Sequence, residues 1–168
     1  MFSAGVLTAS DAASRGRRED TSGEAIRDAL TREGFRVVLR EVVPDDRATI
    51  ADRLRLWADQ VDVVLTTGGT GFGPRDVTPE ATQDVLERHA PGLAERMRSE
   101  TAKNTPLAAL SRAVAGTRGA CLIVNLPGSP RAVRECLDVL LPLLPHALET
   151  MQGPVERHPM SGEAGTPG

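Results

Sequence analysis

The chain has no tyrosine, one tryptophan and three phenylalanines, an aromatic content of 2%. So sparse a set argues against the base-stacking surface of a single-strand nucleic-acid binder. A net charge of −3 removes any general attraction to nucleic acid or anionic membrane. No apolar run approaches a membrane span, and the N-terminus has neither a basic flank nor a long apolar signal segment. A cytoplasmic protein with no nucleic-acid or membrane partner is expected. Only two cysteines occur, Cys121 and Cys136, in neither a metal nor a redox spacing. Cys121 opens an apolar run and Cys136 falls on an expected helix, so both read as packing residues. His89, His146 and His158 are scattered, with no metal-type partner at helical spacing.

What is present is ordinary for a globular chain: 168 residues, 40% hydrophobic and 26% charged. That length suits one domain, read over 1–155, with a polar Gly- and Pro-rich disordered tail at 156–168. Ala4 to Thr8 reads as a first strand, followed by Ser10-Asp11. A polar loop leads to Thr21-Ser22-Gly23-Glu24, which has capping-box spacing with Thr21 as cap. A helix follows, carrying Ile26, Ala29 and Leu30, and Gly34 stops it. Phe35 to Val43 reads as a second strand. Pro44-Asp45-Asp46 ends it, and one aspartate suffices to cap the next helix, which carries Ile50, Leu54 and Trp57. Val63-Val64-Leu65 is a buried strand. Thr78 to about His89 reads as a helix with Thr78 as cap, and Pro91-Gly92 breaks it. A short helix is expected over Leu93 to Thr101. Leu107 to Val114 is ambiguous between strand and helix. Ala115 to Gly119 reads as a hairpin turn before the strand Cys121 to Val124. The last helix starts at Ser129-Pro130, and Pro142 and Pro145 should kink or divide it.

Strands alternating with helices point to an α/β fold: a single-domain three-layer αβα sandwich around a mainly parallel sheet. Ligands of such sheets bind beyond the carboxyl ends of the strands. Four polar turns fall there: Ser10-Asp11, Pro44-Asp45, the loop from Gly68 to Asp76, and Asn125 to Ser129. The loop is the richest. It holds Gly68, Gly69, Thr70, Gly71 and Gly73, then Pro74-Arg75-Asp76. Glycines let backbone N–H groups approach a ligand closely, which suits phosphate. A tight connection without a ligand is the simpler account, but it needs fewer such residues. The loop lacks the Gly-Lys-Ser/Thr ending of a P-loop. It also misses the dinucleotide spacing, since Pro74 stands where the third glycine would be. No Ser sits in a Gly-x-Ser-x-Gly elbow. A phosphate cradle and candidate aspartates remain. Carboxylates beside phosphates commonly hold Mg²⁺, so the set fits nucleotidyl or phosphoryl transfer.

Thr66-Thr67-Gly68-Gly69-Thr70-Gly71 with Arg75-Asp76-Val77-Thr78-Pro79-Glu80-Ala81 closely resembles the signature of the MogA/MoaB molybdenum cofactor biosynthesis family. Thr8 to Asp11, Asp20 to Gly23, Pro44-Asp45, Ala109 to Arg112 and Asn125 to Pro130 resemble further family elements, in the same order. The resemblance implies molybdopterin adenylyltransferase activity: ATP and molybdopterin give adenylylated molybdopterin and pyrophosphate, with Mg²⁺. By matching position, Asp45 and Asp76 would be the catalytic acids and would hold Mg²⁺. Gly68, Gly69, Thr70 and Gly71 would cradle phosphate. Ser10, Asp11, Ser111, Asn125, Pro127, Gly128 and Ser129 would line the nucleotide and pterin pockets. Arg75 would brace the loop. The resemblance further implies a homotrimer or dimer of trimers, and a metal-insertion protein of the pathway as partner. A non-catalytic molybdopterin carrier, a nucleotide-binding scaffold and an interaction protein are the alternatives. The presence of both acids favours the enzyme.

Overall fold

A computed structural model describes residues 1–154. The tail expected at 156–168, with Val155, lies outside the described residues. The six strands are β1 (Ser3–Ala9), β2 (Arg36–Val43), β3 (Val63–Thr67), β4 (Arg88–His89), β5 (Ala115–Arg118) and β6 (Cys121–Leu126). They form one sheet in the order β2-β1-β3-β6-β5-β4. β2, β1, β3 and β6 run parallel, and β5 pairs antiparallel with both β6 and β4.

The strand residues sort by period two, as a sheet buried on both faces requires. Val6, Val63, Leu65, Leu122 and Val124 pack on one side, with α2 (Thr21–Arg32), α5 (Pro91–Thr101), α6 (Pro130–Leu140) and α7 (Leu144–Met151). Leu7, Val64, Cys121 and Ile123 pack on the other, with α3 (Arg47–Ala58) and α4 (Thr78–Gln83). The result is the expected three-layer αβα sandwich. Among the described residues no helix is long and apolar enough to cross a membrane.

Local chemistry explains most element ends. Gly34, at φ +87°, lets the Phe35 N–H bond to the Leu30 carbonyl at 3.0 Å, and Phe35 packs in the same core. That is a glycine-dependent helix stop with its apolar contact. Asp46 caps α3 by accepting from Thr49 N–H, which leaves Asp45 free for other work. Ser129 caps α6, with Pro130 at its first position. Pro142 lies in a 3₁₀ turn over Leu141–Leu143, and Pro145 falls in the first turn of α7; together they divide the C-terminal helix as expected.

Four local expectations are corrected. Asp20, not Thr21, caps α2, because its carboxylate accepts from Gly23 N–H. Thr78 is the first residue of α4 rather than its cap, and its hydroxyl is buried without a partner. α4 stops at Gln83 instead of running to His89. Glu87 N–H and Ala90 N–H bond to Thr117 and Ala115 carbonyls, at 2.9 Å each, and draw Arg88–His89 into the sheet. Ala115–Arg118 is a strand, not a turn, and a 3₁₀ turn at Pro106–Leu110 overlaps the start of the ambiguous stretch before it.

Candidate active site

The chain leaves β1 for β2 on one side of β1, then returns to β3 on the other. A crevice opens at such a switch point, beyond the carboxyl ends of the strands. Here the loops after β1, β2, β3 and β6 enclose two adjoining cavities of about 510 Å³ each. The first is lined by Thr70, Gly71, Arg98 and Ser111, with Met97, Leu107 and Leu110 among its apolar walls. Ser10, Arg18, Asp45 and Gly68 line the second. Gly69, Asp76, Gly128 and Ser129 face both.

Asp45 and Asp76 arrive from different loops and meet at the second cavity. Asp45 Oδ2 accepts from Asp11 N–H at 2.9 Å. Asp11 Oδ1 accepts in return from Asp45 N–H at 3.0 Å. Asp76 Oδ2 accepts from Gly73 N–H at 2.9 Å, so the acid closes the glycine loop on itself. A Cβ on Gly71 or Gly73 would stand 2.9 Å from that same oxygen. These two glycines therefore make room for the Asp76 carboxylate. Gly68 and Gly69 have φ of +91° and +67°, which favours glycine. A Cβ on Gly68 would strike the Ala9 carbonyl, and one on Gly69 would strike Thr78 Oγ1 and lie 3.3 Å from Asp45 Oδ1. Thus the glycines let the loop press against β1 and against both acids.

The electrostatics of the acids are unequal. Burial pushes the Asp45 carboxyl above the usual range; the Asp11 N–H opposes this, and the nearby charges of Asp11 and Asp76 add to the rise. Asp11 is held below the usual range, chiefly by its bond from Arg75. A cation between Asp45 and Asp76 would therefore favour the anionic form of Asp45. Among the described residues, no group of three or more His, Cys, Asp or Glu side chains gathers as a metal cage. A pair of carboxylates suits Mg²⁺, which keeps several waters and takes phosphate oxygens. The donor set at Asp45 and Asp76 fits that ion.

The other expected residues divide into lining and bracing. Ser10 lines the second cavity while its Oγ caps the short helix α1 (Asp11–Ser14) by accepting from Ala13 N–H. Asp11 is not among that cavity's lining; its carboxylate joins Asp45 to Arg75. Asn125 borders the first cavity, yet its amide donates to Thr66 and Thr82 hydroxyls, and its Oδ1 accepts from Val114 N–H. It is fully buried and braces β3, α4 and the approach to β5. The Pro127 and Gly128 carbonyls accept from the Thr67 and Ser22 hydroxyls, at 2.6 Å each, which seats their turn beside Gly68. Ser111 and Ser129 line cavity walls.

Sequence reasoning missed Arg112. Its N–H bonds to the Thr70 carbonyl, its Nε to the Gly71 carbonyl and its second amino group to the Asp76 carbonyl, all at 2.8 Å. Its remaining amino group pairs with Glu80. The signal was a single charge in the otherwise uncharged run Leu107 to Val114. Arg98 was missed as well; it lines the first cavity and donates to the Ser111 and Ala113 carbonyls at 3.2 and 2.8 Å.

The chain is similar to known proteins. Residues 5–146 match the model of a probable molybdopterin binding domain. A molybdopterin adenylyltransferase of Helicobacter pylori is 44% identical over 153 residues, covering 89% of this chain and 87% of the relative. The molybdenum cofactor synthesis protein cinnamon of Drosophila melanogaster is 48% identical over 86% of this chain, which spans only 24% of that longer protein. Among solved structures, the molybdopterin biosynthesis enzyme MoaB of Thermus thermophilus is 54% identical with a TM-score of 0.86, covering 92% of this chain and 98% of that one.

Proposed function

The chain belongs to the probable molybdopterin binding domain family, and on that premise we propose that it is a Mg²⁺-dependent molybdopterin adenylyltransferase. The observation that carries the reading is the meeting of Asp45 and Asp76 at a cavity adjoining a second one, with Gly69 and Asp76 facing both. Two substrates need two pockets with a shared wall. The terminal phosphate of molybdopterin attacks the α-phosphorus of ATP; a P–O bond forms, the bond to the bridging oxygen breaks, and pyrophosphate leaves. The nucleophile is already anionic, so the site needs no strong general base. Positioning and charge neutralisation supply most of the catalysis. Gly68, Gly69, Thr70 and Gly71 cradle phosphate through backbone N–H groups. Ser10, Ser111, Pro127, Gly128 and Ser129 hold the nucleotide and the pterin. Asp45 and Asp76 would hold Mg²⁺, which would supply charge neutralisation at phosphate.

The same reading places the protein in the cytoplasm as a homotrimer or dimer of trimers. It hands its product to a metal-insertion protein; the long molybdenum cofactor synthesis relative with a matching domain supports a partner within that synthesis.

The test is incubation of the purified protein with ATP, Mg²⁺ and molybdopterin, reading pyrophosphate and adenylylated pterin. Asp45→Ala and Asp76→Ala are expected to lose turnover by about a hundredfold or more, the scale of removing one charge-stabilising group, while pterin binding persists. Pterin binding without product in the parent chain would make it a carrier. Light scattering of the same sample reads the assembly.

A further inference from the structure

Asp45 and Asp76 stand on separate segments, the turn after β2 and the loop after β3. Their like charges repel and favour separation of the two segments. Among the described residues, no direct hydrogen bond joins Pro44, Asp45 or Asp46 to the stretch from Gly68 to Val77. Asp11 bonds to both. Its backbone N–H and its Oδ1 lock reciprocally with Asp45, at 2.9 and 3.0 Å. Its two carboxylate oxygens receive the Arg75 fork, Nε at 3.0 Å and the amino group at 3.1 Å. Arg75 immediately precedes Asp76. A single carboxylate thus ties one acid's backbone to the residue beside the other.

This pair is poorly placed to stabilise the fold. The Arg75 side chain is 62% exposed, and exposed pairs contribute little to stability. A bidentate fork on a carboxylate fixes direction and separation, however, which a point charge does not. We propose that the Arg75–Asp11 ion pair is a positioning device that sets the separation of Asp45 and Asp76, and so the affinity of this acid pair for a divalent cation. The proposal rests on the adenylyl-transfer reading for its effect on turnover, but not for its effect on cation binding.

The experiment titrates Mn²⁺, followed by electron paramagnetic resonance, into the protein bound to a non-cleavable α,β-methylene analogue of ATP. It compares the parent chain, Arg75→Ala, Arg75→Lys and a remote control, Arg27→Ala, whose partner Asp28 lies on α2. Steady-state kcat and KM for ATP are measured alongside, with thermal midpoints. Arg75→Ala is expected to keep its midpoint within a few degrees and to bind Mn²⁺ about tenfold more weakly, the usual scale for a group supporting a metal ligand. Its kcat falls while KM stays near the parent value. Arg75→Lys recovers only part of the loss, and it keeps the test readable if Arg75→Ala loses stability. Arg27→Ala matches the parent.

Unchanged Mn²⁺ affinity in Arg75→Ala would overturn the proposal, whatever happens to turnover. So would a raised KM with unchanged kcat, which would make Arg75 a direct substrate contact. Full recovery in Arg75→Lys would leave charge alone as the cause and would also overturn it. A parent chain that binds Mn²⁺ yet makes no adenylylated product would defeat the adenylyl-transfer reading alone, since the cation titration needs no molybdopterin.

Discussion

At the scale of single residues, the burial of Asp45 works against stability. Its folded carboxyl titrates above the ordinary value, mainly through burial. A group with a raised folded pKa contributes its stability fully below the unfolded value, about pH 4. That contribution is lost as the pH rises through the raised value. Asp45 therefore destabilises the fold near neutrality. Asp45→Asn keeps an acceptor for the Asp11 N–H and removes the charge. It should melt higher than the parent at pH 7, with the difference vanishing toward pH 3, while turnover is lost. Thermal midpoints across that range, in the absence of divalent cations, check it; equal midpoints at pH 7 would show that the burial is harmless to the anion. Arg112 works in the opposite sense. Arg112→Ala would strand the Gly71 and Asp76 carbonyls and the Glu80 carboxylate in a half-buried setting. A loss of about 2 kcal/mol or more in urea unfolding is expected. Removal of the exposed Arg27 should leave the urea unfolding midpoint unchanged.

At the scale of elements, the glycine loop shows what was legible and what was not. Its place after an apolar strand was readable from Val63-Val64-Leu65 followed by the glycines, and residues of the four turns at strand ends line the second cavity. The fold followed from alternation, because each strand of the parallel block is short, β-branched and bounded by polar turns. The partner of each glycine could not be read. Gly71 and Gly73 answer to Asp76, close in the chain, but Gly68 answers to Ala9 on another strand. The same reason hid β4. Arg88 and His89 carry no strand pattern and pair only because Thr117 and Gly116 stand opposite. Asn125 was expected to line a pocket and does border the first cavity, but the claim of Thr66 and Thr82, 59 and 43 residues away, on its amide could not be read. The glycine geometry also ranks two substitutions. Both Gly68→Ala and Gly69→Ala place a side chain at positive φ, costing about 1–2 kcal/mol each. The new Cβ of Gly68→Ala meets a backbone carbonyl of β1, which cannot turn aside. That of Gly69→Ala meets the Thr78 side chain, which can rotate. Chemical denaturation should show the larger loss for Gly68→Ala, and the reverse order would refute this account of the loop.

At the scale of the whole molecule, the sheet separates two apolar layers, and each holds one cysteine. Cys121 is fully buried on the α3 side, and Cys136 is 7% exposed on the side of α2, α5, α6 and α7. Burial pushes their thiols up to about 12 and about 11. The thiolate is the reactive form, so a disulfide reagent at pH 8 meets almost none of it in the folded protein. Reaction requires opening of the surrounding layer. The parallel strands are shared by both layers, since Val64 packs on one side while Val63 and Leu65 pack on the other. Neither layer can separate from the sheet without exposing the apolar face it covers, at about 25 cal/mol for each Å². The two thiols should therefore label together, at the rate of global unfolding, as expected of a cooperative domain of this size. Mass spectrometry of partly labelled protein decides this. Labelling on Cys136 well ahead of Cys121 would mean either that the layer of α2, α5, α6 and α7 opens alone or that Cys136 is reached through the cavity it borders.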